Sequence, residues 1–328
     1  MAELNILEAI RTALDEEMER DPTVMVLGED VGKKGGVFGA TEGLFAKYGE
    51  KRVLDTPLTE AMIAGAAAGA AIYGLRPVAE MQFADFVYPA FNQIVSEISR
   101  MRYRSNGAFG LPMVIRMPYG GGVHGALYHS QSNETYFTST VGLKVVAPGT
   151  PADAKGLLKA AIRDPDPVMF FEHKKTYRLF KAEVPDGDHV VPIGKAEVAR
   201  EGKDLSIFCY GYMRTVVLEA ADVLARDDGV EAEVVDLRSL RPLDLEAILG
   251  SVQKTGKALV VHEANRFGGF GAEVAATIAQ DGFEFLDGPV VRLAGPEVPG
   301  VPFHHDLEEW FMLNSTKVAD AARKLAEY

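Results

Sequence analysis

The sequence predicts an α/β protein whose parallel sheets are covered by helices and divided between two domains. Three observations predict this. A short apolar run, a glycine or proline turn and a longer stretch with helical spacing follow one another many times along the chain. The alternation lapses once, between residues 176 and 203, into charged, proline-containing sequence (KAEVPDGDHVVP) and then resumes. With 328 residues, 47% of them hydrophobic and 25% charged, the chain is long and apolar enough for two cores.

The first helix is announced by Asn5 with Glu8 three positions on, a capping-box spacing, followed by Leu7, Ile10, Leu14 and Met18 along one face. A strand is expected at 24–27, and further strands at 53–54, 78–81, 113–117, 144–147 and 168–172. The helix after Ala147 is well marked, with Thr150 as cap, Pro151 at its first position and Leu157, Leu158, Ala161 and Ile162 facing inward. The domains are expected at 1–185 and 204–328, joined by a linker over 186–203. Strands of the second domain fall at 205–210, 231–235, 258–261 and 290–293, and a helix closes the chain.

Lysine and arginine number 34 against 47 aspartate and glutamate, a formal charge of −13 with no long basic run, which argues against a nucleic-acid partner. Cys209 is the only cysteine and sits in the apolar run LSIFCY, so it reads as a buried core thiol and favours a reducing compartment. The first residues, MAELNILEAI, lack the basic flank of a targeting segment, and the expected location is the cytoplasm. The most membrane-like stretch, 61–74, is shorter than the roughly 20 apolar residues that span a bilayer, so no membrane association is expected.

Chemistry is concentrated in two segments. VLDTPLTEAMIAGAAAGAAIYG sets one carboxylate, Glu60, at the start of a helix otherwise made of small apolar residues. A first-turn glutamate facing water and favoured by the helix dipole is the plain reading; a buried acid that shares a proton with a ligand nitrogen is the sharper one. Gly65 and Gly69, one turn apart, give that helix a face without bulk, suited either to a subunit interface or to tight packing in one core. The second segment, RMPYGGGVHGALYHSQS, carries His124 and His129 on a glycine-rich loop; it lacks the lysine of a phosphate-binding P-loop, and its histidine spacing fits no common zinc site. A third segment, FGGFGAEVAA, superficially matches a dinucleotide loop, but Val274 stands where the third glycine belongs, so a glycine turn opening a helix is preferred.

Five blocks, DTPLTEAMIAGAAAGAA, GLRPVAEMQFADFVYPAFNQI, HGALYHSQS, GLKVVAPGTPADAKGLLKAAIRDPDPV and DLRSLRPLD, occur in the order and spacing of a known family. Over almost its whole length the chain resembles the β subunit of the heterotetrameric, thiamine-diphosphate-dependent 2-oxo acid dehydrogenases. Within that group FADFVYPAF and HGALYHSQS are most similar to the branched-chain 2-oxo acid dehydrogenase β subunit, with pyruvate and acetoin dehydrogenase relatives close behind.

The resemblance implies a transketolase-like fold: a pyrimidine-binding parallel-sheet domain, then a transketolase C-terminal-like α/β domain with one antiparallel strand. It implies that Glu60 hydrogen-bonds the aminopyrimidine ring of thiamine diphosphate, with Leu58, Gln82 and Phe86 beside the cofactor. It places His129 at the reacting carbon, where an imidazolium can protonate the sulfur that leaves when the acyl group passes to a lipoyl disulfide. In relatives the backbone carbonyls matching Met113, Ala161, Asp164 and Asp166 hold a potassium ion. The Gly-Asp-Gly segment with a following asparagine, through which such enzymes hold Mg²⁺ and the diphosphate, is missing; Asp186-Gly187-Asp188 is the nearest string and no asparagine follows at the needed distance. The metal and diphosphate half is therefore expected from an α subunit, in a tetramer of two α and two β chains. A lipoyl-bearing transacylase core, docked through its small basic subunit-binding domain, is the expected acceptor of the acyl group taken from the 2-oxo acid substrate. The competing readings are a noncatalytic assembly subunit and a nicotinamide dehydrogenase, and retention of both Glu60 and His129 argues against the first.

Overall fold

The computed structural model describes every residue from Met1 to Tyr328. The chain forms two compact units, residues 1–119 with 136–193 and residues 120–135 with 194–328.

In the first unit the strands are β1 (Ala2–Leu4), β2 (Val24–Gly28), β3 (Val53–Asp55), β4 (Arg76–Glu80), β5 (Val114–Tyr119), β6 (Lys144–Val146), β7 (Val168–His173) and β8 (Ala182–Val184). Strands β6, β7, β5, β4, β2 and β3 lie side by side in that order and all pair in parallel. Each parallel step needs a crossover, which the intervening helices supply. Those helices are α1 (Ile6–Arg20), α2 (Leu44–Tyr48), α3 (Glu60–Ile72), α4 (Met101–Arg104), α5 (Thr135–Thr138) and α6 (Pro151–Arg163).

Helix α1 begins at Asn5, whose side chain accepts from the Glu8 amide while the Glu8 carboxylate accepts from the Asn5 amide, the full capping box. Its face of Leu7, Ile10, Leu14 and Met18 is buried, each side chain contributing about 1.5–3 kcal/mol on leaving water. Opposite it lies α6, capped by Thr150 and opened by Pro151, with Leu157, Leu158 and Ala161 in the same core. Glu16 ties the two helices by accepting from Lys155 and Lys159, both at 2.8 Å.

The second unit holds β9 (Glu197–Arg200), β10 (Leu205–Cys209), β11 (Ala232–Asp236), β12 (Ser239–Arg241), β13 (Ala258–Asn265) and β14 (Val291–Gly295), with α7 (Tyr212–Asp228), α8 (Leu245–Thr255), α9 (Gly271–Asp281), α10 (His305–Phe311) and α11 (Ser315–Ala326). Its sheet runs β14, β13, β10, β11, β9, parallel throughout except that β9 is antiparallel to β11. Cys209 is fully buried at the end of the central strand.

Three features depart from the pattern read along the chain. Residues 186–193 pack with the first unit and 197–200 form β9, so little of the stretch 186–203 is left as linker. Strands β1 and β8 pair as a small antiparallel ribbon. Residues 120–135, which follow the strand β5, pack with the second unit. No helix is long and apolar enough to cross a membrane.

Candidate active site

In an open parallel sheet the carboxyl ends of the strands point backbone and loop residues toward a common crevice, the usual place for a ligand. Here β2, β3 and β4 end in that way. Glu60 is the first residue of α3, just beyond β3, and is 7% exposed. Glu29 directly follows β2 and is 8% exposed; its Oε1 has no hydrogen-bond partner. Burial, then the negative charges of Glu60 and Asp30, push the Glu29 carboxyl above the usual carboxylate range. The buried hydroxyl of Thr56, after β3, is also without a partner. Gln82, past the end of β4, donates from Nε2 to Asp30 at 3.4 Å, and Phe86 sets its ring edge-on to Phe83, centroids 5.3 Å apart.

The structure thus gathers Glu60, Gln82 and Phe86 at one end of one sheet. It adds Glu29, whose sequence signal was a carboxylate immediately after an apolar run ending in glycine (VMVLGED). Leu58 is 77% exposed and Met62 is exposed as well, so neither walls Glu60 within this chain. The face of α3 that carries Met62 also carries Gly65 and Gly69 and is open along its length. A Cβ added at Gly65 or at Gly69 would meet nothing within 4 Å, which rules out tight packing of that face in the chain's own core.

Beneath the crevice a buried ion network fixes the strand ends. Arg116 on β5 is fully buried and donates from Nη1 to Glu80 on β4 at 2.6 Å and from Nε and Nη2 to Glu172 on β7 at 2.6 and 2.8 Å. Tyr177 donates its hydroxyl to the same Glu172 at 2.6 Å. Burial holds the Glu80 carboxyl above its ordinary range even though Arg116 opposes the shift.

His129 lies in the second unit, at the end of a single helical turn, Ala126–Tyr128. His124 in the same loop reaches Glu308, Nδ1 to Oε2 at 2.5 Å. The four carbonyl-bearing residues Met113, Ala161, Asp164 and Asp166 come before the starts of β5 and β7, at the amino ends of the strands and so at the opposite end of the first sheet from Glu60. There the Met113 carbonyl accepts from the Val168 amide at 3.0 Å and that of Ala161 from the Asp164 amide at 3.3 Å, each with one lone pair remaining. At the same end of the sheet, the Asp164 carboxylate accepts from Lys144 at 2.6 Å. Asp188, in the nearest string to a metal-binding Gly-Asp-Gly, is committed to Arg163 and Lys159.

The glycines of FGGFG have a local explanation. A Cβ at Gly269 or Gly271 would lie 2.6 or 2.4 Å from the ring of His262, which is buried beneath the start of α9. They make room for an imidazole and leave no dinucleotide loop.

The donor set fits half of thiamine diphosphate. A buried carboxyl at a helix start, a second protonatable carboxyl and a half-buried aromatic ring suit a flat, weakly basic heterocycle. The same acids oppose a diphosphate, since every group acting on Glu29 raises its affinity for protons.

A parallel sheet with this crevice, followed by a sheet with one reversed edge strand, defines the class: a transketolase-like fold. Two family descriptions match, "Transketolase, pyrimidine binding domain" over residues 2–179 and "Transketolase, C-terminal domain" over 194–318. The chain belongs to the β subunits of the thiamine-diphosphate-dependent 2-oxo acid dehydrogenases. It is 56% identical to the 2-oxoisovalerate dehydrogenase subunit beta of Bacillus subtilis, with 100% of both chains covered. It is 48% identical to the pyruvate dehydrogenase E1 component subunit beta of the same organism, again with 100% of both covered. Among solved structures a split gene transketolase, described as an inactive beta4 tetramer, matches with a TM-score of 0.80 and 28% identity over 99% of each chain.

Proposed function

We propose that this chain is the β subunit of a branched-chain 2-oxo acid dehydrogenase, acting in the cytoplasm in a tetramer of two α and two β chains. The branched-chain reading is carried by the identity to the first relative above, and the cofactor site by the pair of buried acids, Glu60 and Glu29, at the mouth of the first sheet. Thiamine diphosphate, when bound, would supply a nucleophilic carbon for the 2-oxo group and an electron sink for the pair left behind as carbon dioxide departs. Glu60 would exchange a proton with the ring nitrogen of the pyrimidine, Phe86 and Gln82 would orient that ring, and Leu58, exposed in this chain, would cover the cofactor once the partner is in place. His129 holds the proton delivered to the leaving lipoyl sulfur.

The α subunit supplies Mg²⁺ and the diphosphate contacts, in keeping with the acidic character of the crevice. The open face of α3, with exposed Met62 on it and exposed Leu58 and Tyr73 flanking the helix, supports an assembly surface there. The lipoyl-bearing transacylase core accepts the acyl group. A potassium ion on the carbonyls of Met113, Ala161, Asp164 and Asp166 would brace the amino ends of the strands, away from the chemistry.

Reconstitution with the α subunit tests the assignment. Higher kcat/KM on 3-methyl-2-oxobutanoate than on pyruvate supports it; the reverse order moves the chain to the pyruvate dehydrogenase reading favoured by the second relative above. Glu60→Gln in the tetramer should abolish turnover, whereas a noncatalytic assembly subunit would tolerate that change.

A further inference from the structure

Residues 120–131 form a closed loop within the second unit. The Gly120 amide donates to the Gln131 carbonyl at 3.0 Å, joining the two ends. Inside the loop, a Cβ at Gly125 would lie 2.7 Å from the His129 carbonyl oxygen and 2.8 Å from Ser130 Oγ. The segment therefore folds back on itself, and the place of residue 129 depends on the path of residues 120–126.

That path is strained. Gly120 and Gly122 have φ of 86° and 80°, and His124 and Ala126, which are not glycine, have φ of 57° and 54°. Left-handed conformations at ordinary residues persist only where surrounding structure imposes them.

Two buried carboxylates from distant parts of the same unit impose this one. Glu308 on α10 is 3% exposed; its Oε1 accepts from the amides of Gly122 at 2.9 Å and His124 at 3.2 Å, while its Oε2 faces His124 Nδ1. Glu263 near the end of β13 is 5% exposed; its Oε1 accepts from the Gly121 amide at 2.7 Å and from Ser132 Oγ at 3.0 Å. Apolar contacts complete the clamp, because a Cβ at Gly121 would meet Met312 Sδ at 2.9 Å and one at Gly300 would meet Leu127 at 2.6 Å. Carboxylates accepting several backbone N–H groups are among the stronger hydrogen-bonding arrangements available to a loop.

We propose that Glu308 and Glu263 are positioning residues for His129: they hold the loop in its strained form and so set the imidazole for the acyl-transfer half of the reaction. The inference rests on the role given to His129 above. Neither carboxylate is free to act as an acid or base toward substrate, since both are spent on loop amides.

The test uses the α/β tetramer and separates two half-reactions, decarboxylation read with ferricyanide as artificial acceptor and acyl transfer read with lipoamide. In Glu308→Ala the ratio of lipoamide to ferricyanide rates should fall by about tenfold to a hundredfold, the scale of a displacement near 1 Å at a reacting group. Glu308→Gln, whose amide oxygen still accepts both backbone N–H groups, should recover most of that ratio. His124→Gly keeps the backbone bonds and tolerates the positive φ, and should give a smaller fall; it serves if the alanine variant does not assemble.

His129→Ala is measured beside them. If it shifts the ratio and neither Glu308→Ala nor His124→Gly does, the positioning inference is wrong while the reading of His129 stands. If His129→Ala leaves the ratio unchanged, the role of His129 itself is refuted, and the positioning inference falls with it. A parallel loss in both half-reactions for Glu308→Ala would show a merely structural residue.

Discussion

Replacing Arg116 by methionine should destabilise the first unit severely, and more at high pH than at low. The guanidinium is fully buried and makes hydrogen bonds of 2.6, 2.6 and 2.8 Å to two buried carboxylates. Methionine fills most of the volume, so the cost is electrostatic: Glu80 and Glu172 remain without their cation, and removing one partner of a buried pair costs about 3–5 kcal/mol. For a domain of about 150–250 residues each kcal/mol lowers Tm by roughly 2–4 °C, so the expected fall is about 6–20 °C. Glu80 is already held above its ordinary range by burial. Losing Arg116 raises it further, so the folded variant binds more protons than the unfolded chain and loses stability as pH rises above the ordinary glutamate range. Thermal unfolding of wild type and variant, followed by circular dichroism between pH 5.5 and 8, measures both effects. A Tm within about 2 °C of wild type at pH 8, or a deficit that grows toward pH 5.5, would refute the assignment of this network as the brace of the strand ends.

Glu29→Gln should stabilise the chain at pH 8 and have no effect near pH 4: the raised carboxyl of Glu29 contributes stability only while protonated and loses it as pH rises, which differential scanning fluorimetry across that range will register. Gly69→Leu meets no atom of its own chain, so it should leave the Tm of the isolated chain unchanged or slightly higher while blocking assembly with the α subunit in analytical ultracentrifugation. Potassium chloride should raise Tm above sodium chloride at equal ionic strength if the carbonyls of Met113, Ala161, Asp164 and Asp166 hold the ion; equal values would discard that site.

The helix starts at Asn5 and Thr150 were legible because a cap is a local device: the signal and the bond lie within three residues. The strands β2 to β7 were legible as apolar runs. The pairing of β1 with β8 was not, since the partners lie far along the chain and leave no local pattern; the one reversed strand of the second unit, β9, was expected through the family resemblance alone. Glu60 stood out as a lone charge at the head of an alanine-rich helix, yet Glu29 did not, because a carboxylate after a strand is common and only its burial makes it unusual. The glycine-rich loop was visible as composition. What fixes its shape, Glu263 and Glu308, lies 131 or more residues away and could not be read from it.

The central claim, a cofactor site divided between two chains, is tested most directly by calorimetric titration of thiamine diphosphate with Mg²⁺ into this chain alone and into the chain co-assembled with its α subunit. The account predicts tight binding in the assembly only, weakened by Glu60→Gln. Full binding of cofactor and metal by the lone chain, or no binding by the assembly, would contradict it.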